Sequence, residues 1–240
     1  TQAGQCLSRR RLLYLAGLGS SGAVLAACGS DALRVVEGST SSTVVSATTP
    51  DCVLTPEEIE GPFYTDLNLV RSDITNGKSG SALDLKVTVV DATTCAPIRD
   101  ATVDIWHADA FGLYSAFTGQ GDSADIDTSA ESFLRGVQST DADGIATFTT
   151  IYPGWYSGRT THVHLKIHFA DRTHVTTQLY FPDDVTNTVY SNNDAYAERG
   201  PKDTSNYDDG FSAALNSLRM TLSESATGNL ATHTIGIEKA

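Results

Sequence analysis

The feature that most constrains the fold is a series of short runs in which apolar and polar residues alternate. In the clearest run, from 83 to 89, apolar side chains occupy every second position, and Asp84, Lys86 and Thr88 lie between them. Because successive side chains of a β-strand point to opposite faces, this spacing is typical of a strand with one buried face. Similar runs cover 103–105, 146–148, 162–169, 175–181, 218–222 and 232–237. With turn residues between them, these runs predict an all-β domain, an antiparallel or mixed β-sandwich.

Helices are expected to be few and short in this chain. Residues 55–59 begin with Thr-Pro-Glu-Glu, which is a helix-initiation pattern, and a second helix is expected at 207–216. The sequence shows no internal repeat, and no membrane-spanning stretch follows the first 27 residues.

The charge balance narrows the choice of partners. The chain has 29 Asp and Glu against 16 Lys and Arg in 240 residues, with a formal net charge of −13. Its length suits one domain with appendages. Such an acidic surface repels phosphate backbones and anionic lipid headgroups, which argues against nucleic-acid binding and a polybasic membrane patch. We therefore expect a small-molecule partner.

The N-terminal segment has the organisation of an export signal. Three arginines at 9–11 precede an apolar stretch, 12–27, that is diluted by glycine and serine. This stretch is shorter than the ~20 apolar residues that a membrane-spanning helix needs. A basic region, a short apolar region and small residues in this order are typical of a secretory leader, and the arginines after Ser8 resemble a twin-arginine signal.

The end of this leader resembles a bacterial lipoprotein box. In the sequence Leu-Ala-Ala-Cys at 25–28, the cysteine would be lipidated and become the first residue, although an ordinary leader can end this way by chance. Residues 38–50 carry no charge and little apolar surface, which predicts that 28–50 is a flexible Ser/Thr-rich tether. We therefore predict a lipoprotein signal peptide at 1–27, the tether, and a folded domain at 51–240. The domain would be exported and held at the cell envelope through Cys28.

Cysteine usage agrees with export. Cys6 lies in the leader and Cys28 in the lipoprotein box, which leaves Cys52 and Cys95 as the pair within the folded domain. An oxidising compartment favours a disulfide between them. Two unpaired buried thiols are the alternative.

Several residues that can carry chemistry lie around one predicted strand. His162 and His164 are two positions apart, so both imidazoles project from the same face and could bind one metal ion. A same-face histidine pair is more often exposed or packed than a ligand. Just upstream, a loop rich in Gly and Pro carries Tyr156 and Arg159, and Tyr114 follows the exit from an earlier strand. Each tyrosine alone would be an ordinary core or rim residue.

The conjunction resembles the ferric site of the intradiol ring-cleavage dioxygenases, the family of catechol, hydroxyquinol and protocatechuate 3,4-dioxygenases. The resemblance rests on the order and spacing of Tyr114, Tyr156, Arg159 and the His162-x-His164 pair, and the match to the exported, single-chain branch is close. Further matching segments lie at 54–57, 60–64, 106–110, 177–181, 199–201 and 203–204. One departure is Ala108, where many members of that branch have cysteine.

The resemblance implies a non-haem Fe(III) enzyme that cleaves a catechol-type ring between its two hydroxyl-bearing carbons, with O2, to a cis,cis-muconate-type product. It implies four iron ligands: Tyr114 and His162 as the equatorial pair, and Tyr156 and His164 as the axial pair. Tyr156 would leave the iron and accept a substrate proton. Arg159 would stabilise negative charge that develops on the ring, and Gln178 would orient Arg159 or support a proton path. Family members form dimers or larger assemblies, which leaves a homodimer open here.

Two other functions fit part of the pattern. His107 and Asp109 form a His-x-Asp that, with a distant histidine, could make the two-histidine, one-carboxylate site of an Fe(II) oxygenase. That interpretation leaves Tyr114 and Tyr156 unexplained. The second alternative is a non-catalytic, envelope-anchored β-sandwich that binds a sugar or a protein. Neither the identity of the catechol nor the oligomeric state follows from the sequence.

Overall fold

The computed structural model describes residues 52–121, 124–212, 215–226 and 228–239. The elements in chain order are β1 Ala82–Asp91, β2 Thr102–Trp106, β3 Arg135–Ser139, β4 Ile145–Ile151, β5 His162–Phe169, β6 Arg172–Tyr180, α1 Asp183–Asn192, α2 Asp194–Ala197, β7 Thr221–Glu224 and β8 Asn229–Ile237. The strands form two four-stranded sheets, in the orders β4-β1-β8-β7 and β3-β2-β5-β6. All pairings are antiparallel except β1 with β8, so the predicted mixed β-sandwich is confirmed.

The alternating pattern of β1 sets which face of the first sheet is buried. Leu83, Leu85, Val87 and Val89 are at most 1% exposed, whereas the polar residues between them are partly exposed. The opposing sheet contributes buried apolar residues from β2 and β5 to the same core. Each fully buried aliphatic side chain contributes about 1.5–3 kcal/mol. The core between the sheets therefore holds β5, which carries the histidine pair, in place.

Both of the predicted helices are wrong. The segment 55–59 is extended, because its backbone donors bond to strands: Thr55 N–H to the carbonyl oxygen of Gly236, and Glu58 N–H to that of Thr176. In the described part of 207–216 the chain forms turns and, from Asn216, a short 3₁₀ turn. Side-chain acceptors replace the helical bonding pattern there.

The predicted pairing of the two domain cysteines is confirmed. Cys52 and Cys95 form a disulfide with their Cα atoms 5.3 Å apart. The bond joins the first described residue to the connection between β1 and β2. From this anchor, the segment 52–63 runs across β8 and β6 toward the histidine end of β5.

The predicted signal peptide at 1–27 and tether at 28–50 lie outside the described residues, as does Cys28. Within the described ranges, no helix is both long enough and apolar enough to cross a membrane.

Candidate metal centre

His162 and His164 begin the central strand β5, and both side chains are buried, at 3% and 1% exposure. Strand geometry explains why they share a face, as predicted. Trp106 lies opposite His164 in the register with β2, and its ring stacks on the imidazole with centroids 5.0 Å apart and planes inclined by 7°. The stack limits the movement of the His164 ring.

The two tyrosines come from separate loops that pack against each other. Gly112 permits this packing, because its φ is +83° and a Cβ there would lie 2.2 Å from the carbonyl oxygen of Trp155. The loop that leads to Tyr114 can therefore lie against the loop that carries Tyr156. Phe63 stacks on Tyr114 with ring centroids 4.6 Å apart and a plane angle of 16°.

The four residues predicted as ligands meet at one point. Around Nε2 of His162 lie the hydroxyl oxygen of Tyr114 at 3.2 Å, that of Tyr156 at 3.3 Å, and Nε2 of His164 at 3.1 Å. Adjacent atoms bound to one metal ion at about 2.0–2.2 Å are themselves about 3 Å apart. The spacing of these four atoms therefore fits a metal ion.

The ionisation of the histidines also suits metal binding. Nδ1 of His162 lies 2.6 Å from the carbonyl oxygen of Thr160. Because a carbonyl oxygen only accepts, Nδ1 carries the proton and Nε2 presents a lone pair to the cluster. Burial lowers the pKa of His162 to about 3 and that of His164 well below its usual value. Both imidazoles are therefore neutral near pH 7, as metal ligands must be.

The tyrosines need a cation before they can ionise at neutral pH. Burial raises the pKa of Tyr114 well above its ordinary value, and burial also raises the pKa of Tyr156. A bound multivalent cation would reverse this shift by stabilising the phenolates. Within the described residues, no group of three or more His, Cys, Asp or Glu could hold a metal ion. A metal in this cluster would therefore depend on tyrosine oxygens as well as imidazoles.

Arg159 and Gln178 lie directly beside the cluster. Nη1 of Arg159 donates to the hydroxyl oxygen of Tyr156 at 3.3 Å, and Nη2 donates to Oε1 of Gln178 at 2.5 Å. Nε2 of Gln178 donates in turn to the carbonyl oxygen of Ile59 at 3.1 Å, so Gln178 orients Arg159. Nε of Arg159 donates to the buried carboxylate of Asp209 at 2.9 Å.

The sequence interpretation did not find Asp209 or the wall formed by the segment 52–63. In that wall, Gly61 has a φ of +76°, and a Cβ there would lie 2.9 Å from Cε1 of His164. Phe63 is held because the buried Arg135 donates to its carbonyl oxygen at 2.8 Å. The one available signal was the matching segment at 60–64, from which the sequence predicts only that Tyr64 lines the mouth of the substrate site.

A cavity of about 490 Å³ adjoins the cluster and is large enough for a small aromatic molecule. Its wall includes Phe63, Phe111 and Tyr156. Tyr114, in contrast, is only 1% exposed. The two tyrosines therefore differ, because Tyr156 can meet a ligand in the cavity while Tyr114 is packed behind it.

The residues of the alternative His-x-Asp site are engaged elsewhere. The ring nitrogens of His107 lie 2.8 Å from the carbonyl oxygen of Ala108 and 2.8 Å from the hydroxyl oxygen of Thr150. The carboxylate of Asp109 accepts from Lys78 at 3.1 Å and from backbone N–H groups of its own loop. Both residues have structural roles here, and the structure does not direct them at a common metal position. Together, these observations define the class: a β-sandwich with a buried cluster of two tyrosines and two histidines beside a cavity.

Comparison with known proteins places this class in a family. The family model described as Dioxygenase matches residues 59–199, which include all six predicted site residues. The chain therefore belongs to the intradiol ring-cleavage dioxygenase family.

Individual relatives agree with this assignment. The protocatechuate 3,4-dioxygenase beta chain of Burkholderia cepacia is 33% identical over 141 residues, which cover 51% of this chain and 57% of the relative. Catechol 1,2-dioxygenase 1 of Acinetobacter lwoffii is 28% identical over 152 residues, covering 54% and 47%. The chain spans about half the length of the curated relatives it matches. An intradiol ring-cleavage dioxygenase structure from Tetranychus urticae is 29% identical with a TM-score of 0.70, covering 78% of this chain and 95% of that one.

Proposed function

We propose that this chain is a non-haem Fe(III)-dependent intradiol dioxygenase. It would cleave a catechol-type ring between the two hydroxyl-bearing carbons with O2 and give a cis,cis-muconate-type product. The observation that carries the proposal is that two phenol oxygens and the Nε2 atom of His164 all lie within 3.1–3.3 Å of Nε2 of His162. Both atoms of O2 end in the product diacid, so the reaction balances without an external reductant.

The donor set favours ferric iron. Tyr114, Tyr156, His162 and His164 would hold the ion, and phenolate is a hard anion that favours Fe(III) over Fe(II). When bound, the ion supplies electron withdrawal from the coordinated catecholate, which opens a ring carbon to O2. The neutral imidazoles add no charge, so two phenolates would leave the ferric site with one net positive charge, which favours binding of a catecholate anion.

Tyr156 is the residue that we assign to accept a substrate proton. A catechol has to lose both hydroxyl protons when it binds as a dianion. Tyr156 lines the cavity, so of the two tyrosines it is the one that an entering catechol would meet. Tyr114 is buried under Phe63 and is shielded from the cavity. Because Tyr156 lines the cavity, it can stay beside the bound substrate after it has accepted the proton.

Arg159 is assigned to stabilise negative charge. It is a fixed cation beside Tyr156, and its guanidinium faces the end of β5 that carries the histidines. A preorganised cation in a largely buried site stabilises charge that develops on the ring more strongly than water does. Gln178 supports this role by holding Nη2 of Arg159.

The test is turnover of a catechol panel under ¹⁸O₂. Unsubstituted, hydroxylated, carboxylated, alkylated and chlorinated catechols would be incubated with aerobically purified, iron-loaded protein, and products analysed by absorbance and mass. We expect at least one diacid of the muconate type that carries two ¹⁸O atoms. A protein with His162→Ala and His164→Ala is the control and should be inactive. An extradiol aldehyde product, or no turnover of any catechol by iron-loaded protein, would contradict the proposal.

We also propose that the protein is exported to the cell envelope and anchored there through Cys28. The leader pattern supports this, as does the Cys52–Cys95 disulfide, which is a bond typical of oxidising compartments. Expressed with its leader in a bacterial host, the protein should partition with membranes, and Cys28→Ser should release it. Cys6→Ser is the matched control and should stay membrane-bound. Retention of the Cys28→Ser protein in membranes would refute the anchor.

A further inference from the structure

Residues 203–209 form a loop that lies against the segment carrying Tyr156 and Arg159. Asp203 accepts from the Ser157 hydroxyl at 3.0 Å and from Gly158 N–H at 3.3 and 3.4 Å. Asp209 accepts from Nε of Arg159 at 2.9 Å and from Thr160 N–H at 2.8 Å. Two carboxylates of one loop, which we call the carboxylate clamp, thus hold four successive residues of the site segment.

The two carboxylates differ in how firmly they hold the site segment. Asp203 is exposed, so water competes for its hydrogen bonds. Asp209 is 0% exposed, and its second oxygen accepts from Phe211 N–H at 2.8 Å and Ser212 N–H at 3.3 Å. A buried carboxylate is stable only when it is paired and hydrogen-bonded. Burial by itself would raise the pKa of Asp209, but the bonds from Thr160, Phe211 and Arg159 hold that pKa below its ordinary value.

The contacts of Asp209 fix the plane of the Arg159 guanidinium. This group is rigid and planar, so its orientation is set once two of its nitrogens are held. Asp209 holds Nε, and Gln178 holds Nη2 from the other side. The remaining nitrogen, Nη1, then points at the hydroxyl of Tyr156. Two residues beyond this loop, the Phe211 ring lies over the guanidinium, 4.6 Å from Cζ.

We propose that Asp209 is a positioning residue of the reaction, acting through Arg159. It aims the guanidinium at the site where negative charge develops, and Asp203 gives a weaker second hold on the same segment. This inference rests on the proposed function, because it assigns the aim of Arg159 to ring cleavage. A tether that only joined the loop to the sheet would not need the Nε contact, since Thr160 N–H would suffice.

A double-mutant cycle tests the proposal. Asp209→Asn, Arg159→Met and the double variant would be compared in iron-loaded protein, with iron content and thermal unfolding recorded for each. We expect Asp209→Asn to lower kcat about tenfold to hundredfold with little change in KM, because small misplacement of a catalytic group has effects of that size. In the Arg159→Met background it should lower kcat no further. The matched control is Asp208→Asn, an exposed neighbour with the same charge change, which should resemble the parent.

The proposal is overturned if Asp209→Asn lowers kcat equally in both backgrounds, or if it leaves kcat unchanged. If Asp209→Asn folds poorly, the same double-mutant cycle is carried out with Asp209→Glu, which retains the charge but shifts the carboxylate.

A second measurement is independent of iron and of activity. In metal-free protein, the ¹⁵Nε–H signal of Arg159, assigned by its loss in Arg159→Met, should exchange slowly with water. Exchange as fast as in an exposed arginine would contradict the claim that Asp209 holds Nε of Arg159. If wild type shows the slow exchange but cleaves no catechol, the proposed function fails while the clamp itself stands.

Discussion

Gly61→Ala is expected to weaken iron binding in addition to the fold, because the added methyl group would press against His164. An alanine Cβ at this position would lie 2.9 Å from Cε1 and 3.5 Å from Nε2 of His164. Non-bonded carbons settle at about 3.5–4.0 Å, so the ring and the main chain would have to separate by about 0.6 Å or more. The positive φ of +76° adds a backbone penalty that is unrelated to the site.

Neither side of this contact can move away freely. Hydrogen bonds to the carbonyl oxygens of Ile59 and Phe63 hold the main chain on both sides of Gly61. Trp106 stacks on the His164 ring and restricts it. Metal–ligand distances tolerate only about 0.2 Å, so a displacement of about 0.6 Å should remove His164 as an effective ligand. We expect iron affinity to fall by at least tenfold to a hundredfold, roughly the loss seen when ligand support is removed.

Gly77→Ala is the matched control. Its φ is +78°, and a Cβ there would meet no atom within 4 Å. Both variants should lose about 1–2 kcal/mol of unfolding free energy from the left-handed backbone, but only Gly61→Ala should lose iron. The assay is urea unfolding of the metal-free proteins together with iron titration followed by tyrosinate-to-iron absorbance. Equal iron affinity in the two variants would contradict a role for the Gly61–His164 contact.

Three further changes test separate parts of the account. Tyr156→Phe should keep more iron than Tyr114→Phe while losing most turnover, because water can replace a ligand at the cavity wall; equal iron contents would contradict this. Burial lowers the pKa of His107 to about 4. In the unfolded chain His107 has a pKa of about 6.5, so it takes up its proton at a higher pH than in the folded protein. Its contribution to the free energy of unfolding is therefore fully present above about pH 6.5 and falls by about 2 kcal/mol by pH 5. His107→Gln should reduce the slope of the unfolding free energy against pH, and an unchanged slope would count against this contribution. Replacing both Cys52 and Cys95 by Ser opens a loop with a sequence separation of 43; the unfolding free energy should drop by about 4 kcal/mol, and an unchanged midpoint would exclude that contribution.

Strands with one buried face could be predicted from the sequence, because alternation encodes which side chains the core covers. β1 and β5 illustrate this, since the predicted and observed strands nearly coincide. β3 was missed because Arg135–Ser139 contains a single aliphatic residue and is held by β2. The helix at 55–59 was predicted wrongly because local propensity yields to long-range bonds with β8 and β6. The sequence of α1 shows only a weak helical pattern of apolar residues, because just two of its residues, Thr186 and Tyr190, are buried.

The candidate site also contains some residues that could be predicted from the sequence and some that could not. Tyr114, Tyr156, His162 and His164 could be proposed from spacing and family resemblance, and the structure brings them together. Asp209 could not, because it lies 50 residues beyond Arg159 and its role exists only where the loop folds back. The same holds for the wall around Gly61, whose closeness to His164 depends on the path of the segment 52–63 across two strands. The residues that support Arg159 and His164 are therefore determined by tertiary contacts, which the local sequence does not encode.

Metal analysis combined with the visible spectrum of one sample is the most direct test of whether two tyrosines and two histidines hold a ferric ion. We expect about one iron per chain and a red-brown tyrosinate-to-Fe(III) absorption that is lost in the protein with His162→Ala and His164→Ala. Stoichiometric zinc, or bound iron without that absorption, would contradict it.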